Sequence, residues 1–124
     1  MAINKNTSLG SINISDQAIA ALAGGAVNES YGVVGMVSTQ VLKDGLNELL
    51  GKEDYSKGVV VENKDNGLTI DVYIIVAYGI NISEVTKEIQ KKVKYTLEKA
   101  LGMDVTGVNV FVQGIKVVGE WVMF

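Results

Sequence analysis

The strongest constraint on the fold lies in the second half of the chain. Residues 68–78 form an unbroken β-prone run, Leu-Thr-Ile-Asp-Val-Tyr-Ile-Ile-Val-Ala-Tyr. A second such run, residues 58–62, precedes it across Asn63-Lys64-Asp65-Asn66-Gly67, and Asn-Gly between two β-rich segments signals a hairpin. Gly79 closes the long run. Ser83 then reads as the N-cap of a helix over residues 83–101. Its early glutamates, Glu84 and Glu88, and late lysines, Lys91, Lys92, Lys94 and Lys99, complement the helix dipole. Val85, Ile89, Val93, Thr96, Leu97, Ala100 and Leu101 form its apolar stripe, and Gly102 stops it. A further β-run over residues 105–112 continues past a bulge at Gly114 to Ile115 and Val117. Strand, helix, strand in this order predicts a right-handed crossover between parallel strands, with the hairpin supplying an antiparallel neighbour.

The first half is weaker in pattern. Residues 1–7 are polar and predict a frayed end; residues 9–14 predict a short strand. Ser15 caps a helix whose apolar positions are Ile19, Leu22, Ala23, Ala26 and Val27. Gly24 and Gly25 interrupt that pattern, which close approach by a neighbouring element would explain. Residues 31–37 predict a buried strand and residues 39–50 a second helix with Gly51 as its stop. The order is β-α-β-α-β-β-α-β. The expected fold class is α/β (α+β), a two-layer sandwich in which helices pack on one face of a mixed sheet. The expected organisation is one domain over residues 8–118 and an apolar tail over residues 119–124.

Composition narrows function. The 124 residues include no His and no Cys, and all eleven Lys or Arg positions are lysine. The usual neutral-pH general base, the thiol nucleophile, the common zinc ligands and the forked phosphate reader are all missing. No catalytic residue, cofactor or metal site is expected. A net charge of −3 gives no global attraction to nucleic acid or anionic lipid. No apolar run approaches a membrane span and no signal-peptide pattern opens the chain, so the expected location is cytoplasmic.

Several motifs invite sharper readings. Gly24-Gly25 and the pair Gly32 and Gly35 lack the strand-then-helix context of a phosphate-binding loop, because they fall within a helix and a strand respectively. Asp71, beside Thr69 and Tyr73, is offered no specific catalytic partner by its spacing and reads as a strand-surface residue. Lys87, Lys91 and Lys94 share the outer face of the long helix, with Tyr95 beside them. This is a solvated face or, failing that, a surface for a protein partner. The tail carries Trp121, Val122, Met123 and Phe124 with little polar relief. Such a terminus docks on its own sheet, on a sister subunit in a homo-oligomer, or on another partner.

Taken together, the blocks resemble one family. Ala23-Gly24-Gly25-Ala26 followed by Tyr31-Gly32-Val33-Val34-Gly35-Met36 is similar to the first half of the alkaline shock (general-stress, envelope-stress) protein family of Gram-positive bacteria. Asp71-Val72-Tyr73-Ile74-Ile75-Val76-Ala77-Tyr78-Gly79 resembles its central strand. Ile82-Ser83-Glu84-Val85, Gln90-Lys91-Lys92-Val93-Lys94-Tyr95-Thr96-Leu97 and Val108-Asn109-Val110-Phe111-Val112-Gln113-Gly114 resemble its later blocks. The likeness covers residues 9–117 and is nearest to the short, YloU-like branch. It implies a non-catalytic stress-response protein of the cell envelope that self-assembles or binds a membrane-anchored protein partner, and so sits in the cytoplasm, peripheral to the membrane. Short-branch genes often neighbour a dihydroxyacetone-kinase-like fatty acid kinase, which implies, as the alternative, an accessory or regulatory subunit. The family offers no catalytic residues to carry over, and the tail lies beyond the shared blocks.

Overall fold

A computed structural model of the chain describes residues 3–38, 56–64, 67–117 and 120–123, the last four by backbone path alone. Strand β5 (Gly67–Ala77) is the spine of the sheet. On one side β3 (Val33–Met36) and β4 (Val59–Lys64) lie end to end along it, both antiparallel. On the other side runs β6 (Val105–Val117), parallel to β5, and β7 (Glu120–Met123) folds back antiparallel on the end of β6. The helices α1 (Asp16–Asn28) and α2 (Ile82–Leu101) pack against each other and onto the sheet. The mixed sheet with helices on one face is thus the expected two-layer α/β sandwich. The helix expected over residues 39–50 lies outside the described residues.

Alternation along β5 explains the layering. Leu68, Ile70, Val72, Ile74 and Val76 are all fully buried and point to one face, as period two demands. They meet Ile19, Ala23 and Val27 of α1 and Val85, Ile89, Val93 and Leu97 of α2 in one cluster. Burying each large aliphatic chain stabilises the fold by roughly 1.5–3 kcal/mol. The parallel pairing of β5 with β6 slips once between Leu68 and Thr69 and again between Ile74 and Ile75. The second slip falls at the bulge expected beside Gly114.

Several local expectations are corrected. Ile3–Thr7 is not frayed in the structure but forms β1, paired with β2 (Gly10–Ile14) in a separate two-stranded sheet. The strand expected over residues 9–14 therefore stays outside the main sheet. Buried Ile3 joins the core, and Lys5 Nζ donates to Leu101 O at 3.2 Å, meeting a carbonyl that the end of α2 leaves unpaired. The N-cap of α2 is Asn81, whose side chain accepts from Glu84 N at 3.1 Å, rather than Ser83. Leu22 and Ala100, assigned to buried stripes, are exposed, whereas Ala20 is buried. A Cβ on Gly25 would meet nothing within 4 Å, so close approach does not account for that glycine.

Gly32 lies outside β3, in the turn before it, at φ +88. A Cβ there would come within 2.9 Å of Ile80 Cδ1 and 3.0 Å of Val85 Cγ2. Both the left-handed backbone and the crowding call for glycine. Its role is to let the turn after α1 close over the start of α2.

Candidate functional site

Helix α2 carries the candidate surface. Its core stripe recurs every four residues from Val85 to Leu101, so Lys87, Lys91, Lys94 and Tyr95 are left on the exposed side. The structure brings these four together on one helix. It does not bring the tail to them in any described contact. The backbone of Trp121 and Val122 pairs instead with Lys116 and Ile115, and that of Met123 with Gly114. The tail's main chain therefore docks on its own sheet. Phe124 lies outside the described residues.

Two hollows flank this helix face. The larger, about 700 Å³, opens between the end of α1, the β5–α2 turn and the first turns of α2. Tyr31, Tyr95, Ile80 and Val85 give it apolar surface; Glu29, Glu84, Glu88, Lys91 and Lys92 give it charge. Lys92 Nζ lies 3.5 Å from Glu29 Oε2, tying the helices together, and Lys91 Nζ lies 3.6 Å from Glu88 Oε1. Tyr31 is 84% exposed and Tyr95 63%. Lys99 Nζ donates to Tyr95 Oη at 3.2 Å and sits 5.5 Å from the ring centroid, which steadies that ring at the rim.

The smaller hollow, about 340 Å³, runs between α2 and the outer edge of β6, lined by Gln90, Lys91, Lys94 and residues 105–108. Lys94 Nζ donates to Val105 O at 2.8 Å and to Glu98 Oε2 at 3.1 Å, and that oxygen also accepts from Val105 N at 3.0 Å. The Val105 amide, aided by Lys94, holds the Glu98 carboxyl below the usual glutamate range. Gln90 Nε2 donates to Val108 O at 2.9 Å.

Asp71 lies on the other face of the sheet, where its Oδ1 accepts from Asn109 Nδ2 at 2.8 Å. Beside it Tyr73 stacks on Phe111, with centroids 4.8 Å apart. Burial, aided by the Asp71 charge, pushes the Tyr73 hydroxyl up from its usual value. This is a cross-strand ladder that ties β5 to β6. Among the described residues no group of three or more acidic side chains gathers in a way that would hold a metal ion, and no helix is long and apolar enough to cross a membrane.

The exposed lysine and tyrosine face of α2 is legible in the sequence, but the placement of Tyr31, Glu29 and Gln90 beside it is not. Tyr31 was assigned to a buried strand, and its exposure follows from the turn at Gly32. The Gln90 contact joins residues whose nearness depends on the crossover, and no local pattern encodes it.

The class defined by this architecture is a small α/β sandwich that presents an exposed, lysine- and tyrosine-bearing helix beside open hollows. Comparison gives the family. The chain belongs to the alkaline shock protein 23 family, described by a cell envelope-related function, whose profile matches residues 4–117. It is 51% identical over 120 residues to the uncharacterized protein Spy1614 of Streptococcus pyogenes, covering 97% of this chain and 99% of that one. It is 49% identical over 117 residues to the uncharacterized protein YloU of Bacillus subtilis, covering 94% and 98%. It is also 33% identical over 113 residues to the uncharacterized protein YqhY of the same bacterium, covering 91% and 82%. No solved structure matches the chain.

Proposed function

We propose that the protein is a non-catalytic component of an envelope-stress response that acts by binding another protein through the outer face of α2. The observation that carries this reading is the open hollow between α1 and α2, rimmed by exposed Tyr31 and Tyr95. Aromatic side chains held out in water are typical anchors of protein interfaces. The family's envelope-related description supports placing the partner at the membrane, with this chain held there peripherally. The side-chain inventory supports the non-catalytic half of the reading, since the described hollows gather lysine, glutamate and tyrosine but no histidine or cysteine.

The test is site-specific photo-crosslinking from positions 31 and 95 in intact cells, alongside light scattering of the purified chain. A discrete adduct with an envelope protein, lost in Tyr31→Ala/Tyr95→Ala while the circular dichroism spectrum is unchanged, is the expected result. Adducts between copies of this chain alone, matched by an oligomer in solution, would replace the partner with self-assembly. Turnover of a small molecule by the purified protein would end the non-catalytic reading.

A further inference from the structure

The charges of the tyrosine hollow between α1 and α2 do not balance. Its described lining carries three carboxylates, Glu29, Glu84 and Glu88, against two lysines, Lys91 and Lys92. Both lysines are committed. Lys92 Nζ lies 3.5 Å from Glu29 Oε2, and Lys91 Nζ lies 3.6 Å from Glu88 Oε1. Glu84 is left over: among the described residues no lysine forms an ion pair with it. Nor is its carboxylate used as the cap of α2, because the Asn81 side chain takes that part and accepts from the Glu84 amide at 3.1 Å. Its place in the first turn, at the positive end of the helix, favours the ionised carboxylate without giving it a counter-ion.

The groups around Glu84 leave one chemistry unmet. Ile80 and Val85 form an apolar floor, and Gly32 sets Tyr31 close to it. Tyr31 is 84% exposed and, among the described residues, has no cation over its ring, whereas Lys99 already lies over that of Tyr95. The Ser30 hydroxyl is spent on Ala26 O at 3.0 Å. The hollow therefore holds an unmatched anion and an open aromatic face above apolar surface, and no unmatched cation. A carboxylate and a ring face both attract a cation, and a long basic side chain lays its hydrocarbon stem on apolar surface.

We propose that this hollow receives a lysine or arginine side chain, flanked by apolar residues, from a basic segment of the partner protein. The charged head pairs with Glu84. The stem lies on Ile80 and Val85 beneath the ring of Tyr31, and the flanking apolar residues meet Tyr95. Charge selects this occupant over a second copy of the chain. The chain has a net charge of −3, and nearly every lysine whose side chain is described already has a bond or ion pair. The exception, Lys87, stands one turn from Glu84 on α2 itself. A copy thus offers little free positive charge. The inference rests on the protein being a partner-binding module and names the chemistry that its site takes.

The test uses the intact protein labelled with ¹⁵N and three end-blocked pentapeptides that differ only in a central Lys, Gln or Glu between two leucines. The Lys peptide is expected to shift the amide signals of residues 29–32 and 79–85. It should bind about tenfold more tightly than the Gln peptide, by an exposed ion pair together with a cation–π contact. Glu84→Gln is expected to weaken the Lys peptide about threefold and to leave the Gln peptide unchanged. Asp104→Asn removes an exposed carboxylate that does not line the hollow, and is expected to change neither. Equal binding of the Lys and Gln peptides, or tighter binding of the Glu peptide, overturns the proposal. So does a loss in Asp104→Asn that matches the loss in Glu84→Gln, since bulk charge would then account for both. Shifts confined to other parts of the chain also overturn it, as does broadening of residues 29–32 and 79–85 with protein concentration alone. A partner photo-crosslinked from positions 31 and 95, with no peptide preference for Lys, leaves the binding function standing and removes this inference only.

Discussion

The two faces of β5 belong to one strand and one hydrogen-bond ladder, yet they hold different parts of the molecule together. Toward the helices, Leu68, Ile70, Val72, Ile74 and Val76 are sealed. Toward the other side, Asp71 and Tyr73 remain half-buried and reach sideways to Asn109 and Phe111 of β6, and only Ile75, near the strand's end, is sealed. The first face joins layers; the second joins strands. Apolar area removed from water scales with how completely a side chain is enclosed, so the helix-facing residues should dominate stability. The cross-strand ladder should contribute less, and in a way that depends on pH.

The sharpest way to break that contrast is Ile74→Ala. The side chain lies at the centre of the sealed face, and truncation should cost about 2–5 kcal/mol by lost transfer energy plus a residual cavity. Urea unfolding monitored by circular dichroism reads this directly. A cost below that of truncating the half-buried Tyr73 or Phe111 would mean that the helix layer is loosely packed.

Next comes Phe111→Ala, which removes the ring stacked on Tyr73. Phe111 is already 40% exposed, so little transfer energy is at stake beyond the aromatic pair, itself worth roughly 0.5–1.5 kcal/mol. A total cost of about 1–2 kcal/mol is expected. A loss as large as that of Ile74→Ala would show that this face is covered as tightly as the other.

Tyr73 separates the faces by pH. Burial and Asp71 raise its pKa in the folded state, so the native chain holds that proton more tightly than the unfolded one. Its contribution is complete below the ordinary tyrosine value of about 10 and fades as pH rises through the higher folded value. Tyr73→Phe should therefore flatten the alkaline limb of the stability curve and leave neutral pH nearly unchanged. Thermal melts across the alkaline range test it; an unaltered alkaline limb would assign the loss there to other groups.

The legibility of these features in the sequence followed their range. Period-two alternation displayed the sealed face of β5 directly, and the four-residue spacing displayed the stripe of α2, because each pattern is local. The hairpin of β4 and β5 followed from Asn66-Gly67. The cap moved from Ser83 to Asn81 because both residue types accept a backbone N–H, and only the path out of Gly79 decides between them. β1 was hidden because its polar residues pair with β2 in a small exposed sheet that needs few apolar side chains. The lysine and tyrosine face of α2 was visible as a pattern. Its two hollows were not, since one depends on a turn at Gly32 and the other on where β6 lies after the crossover.

The finest test of the comparison is the Asp71–Asn109 pair. Its 2.8 Å hydrogen bond lies on the exposed side of the sheet, where water competes for both groups, and cross-strand polar pairs of this kind contribute about 0.2–1 kcal/mol. A double-mutant cycle of Asp71→Ala and Asn109→Ala should give a coupling energy in that range. Asp71→Ala alone should also lower the Tyr73 pKa, because it removes the negative charge that disfavours the phenolate. The two readouts are independent. Coupling without the pKa change would mean that Asp71 acts on Asn109 only, and the pKa change without coupling would mean that its charge, rather than its hydrogen bond, is what the ladder feels.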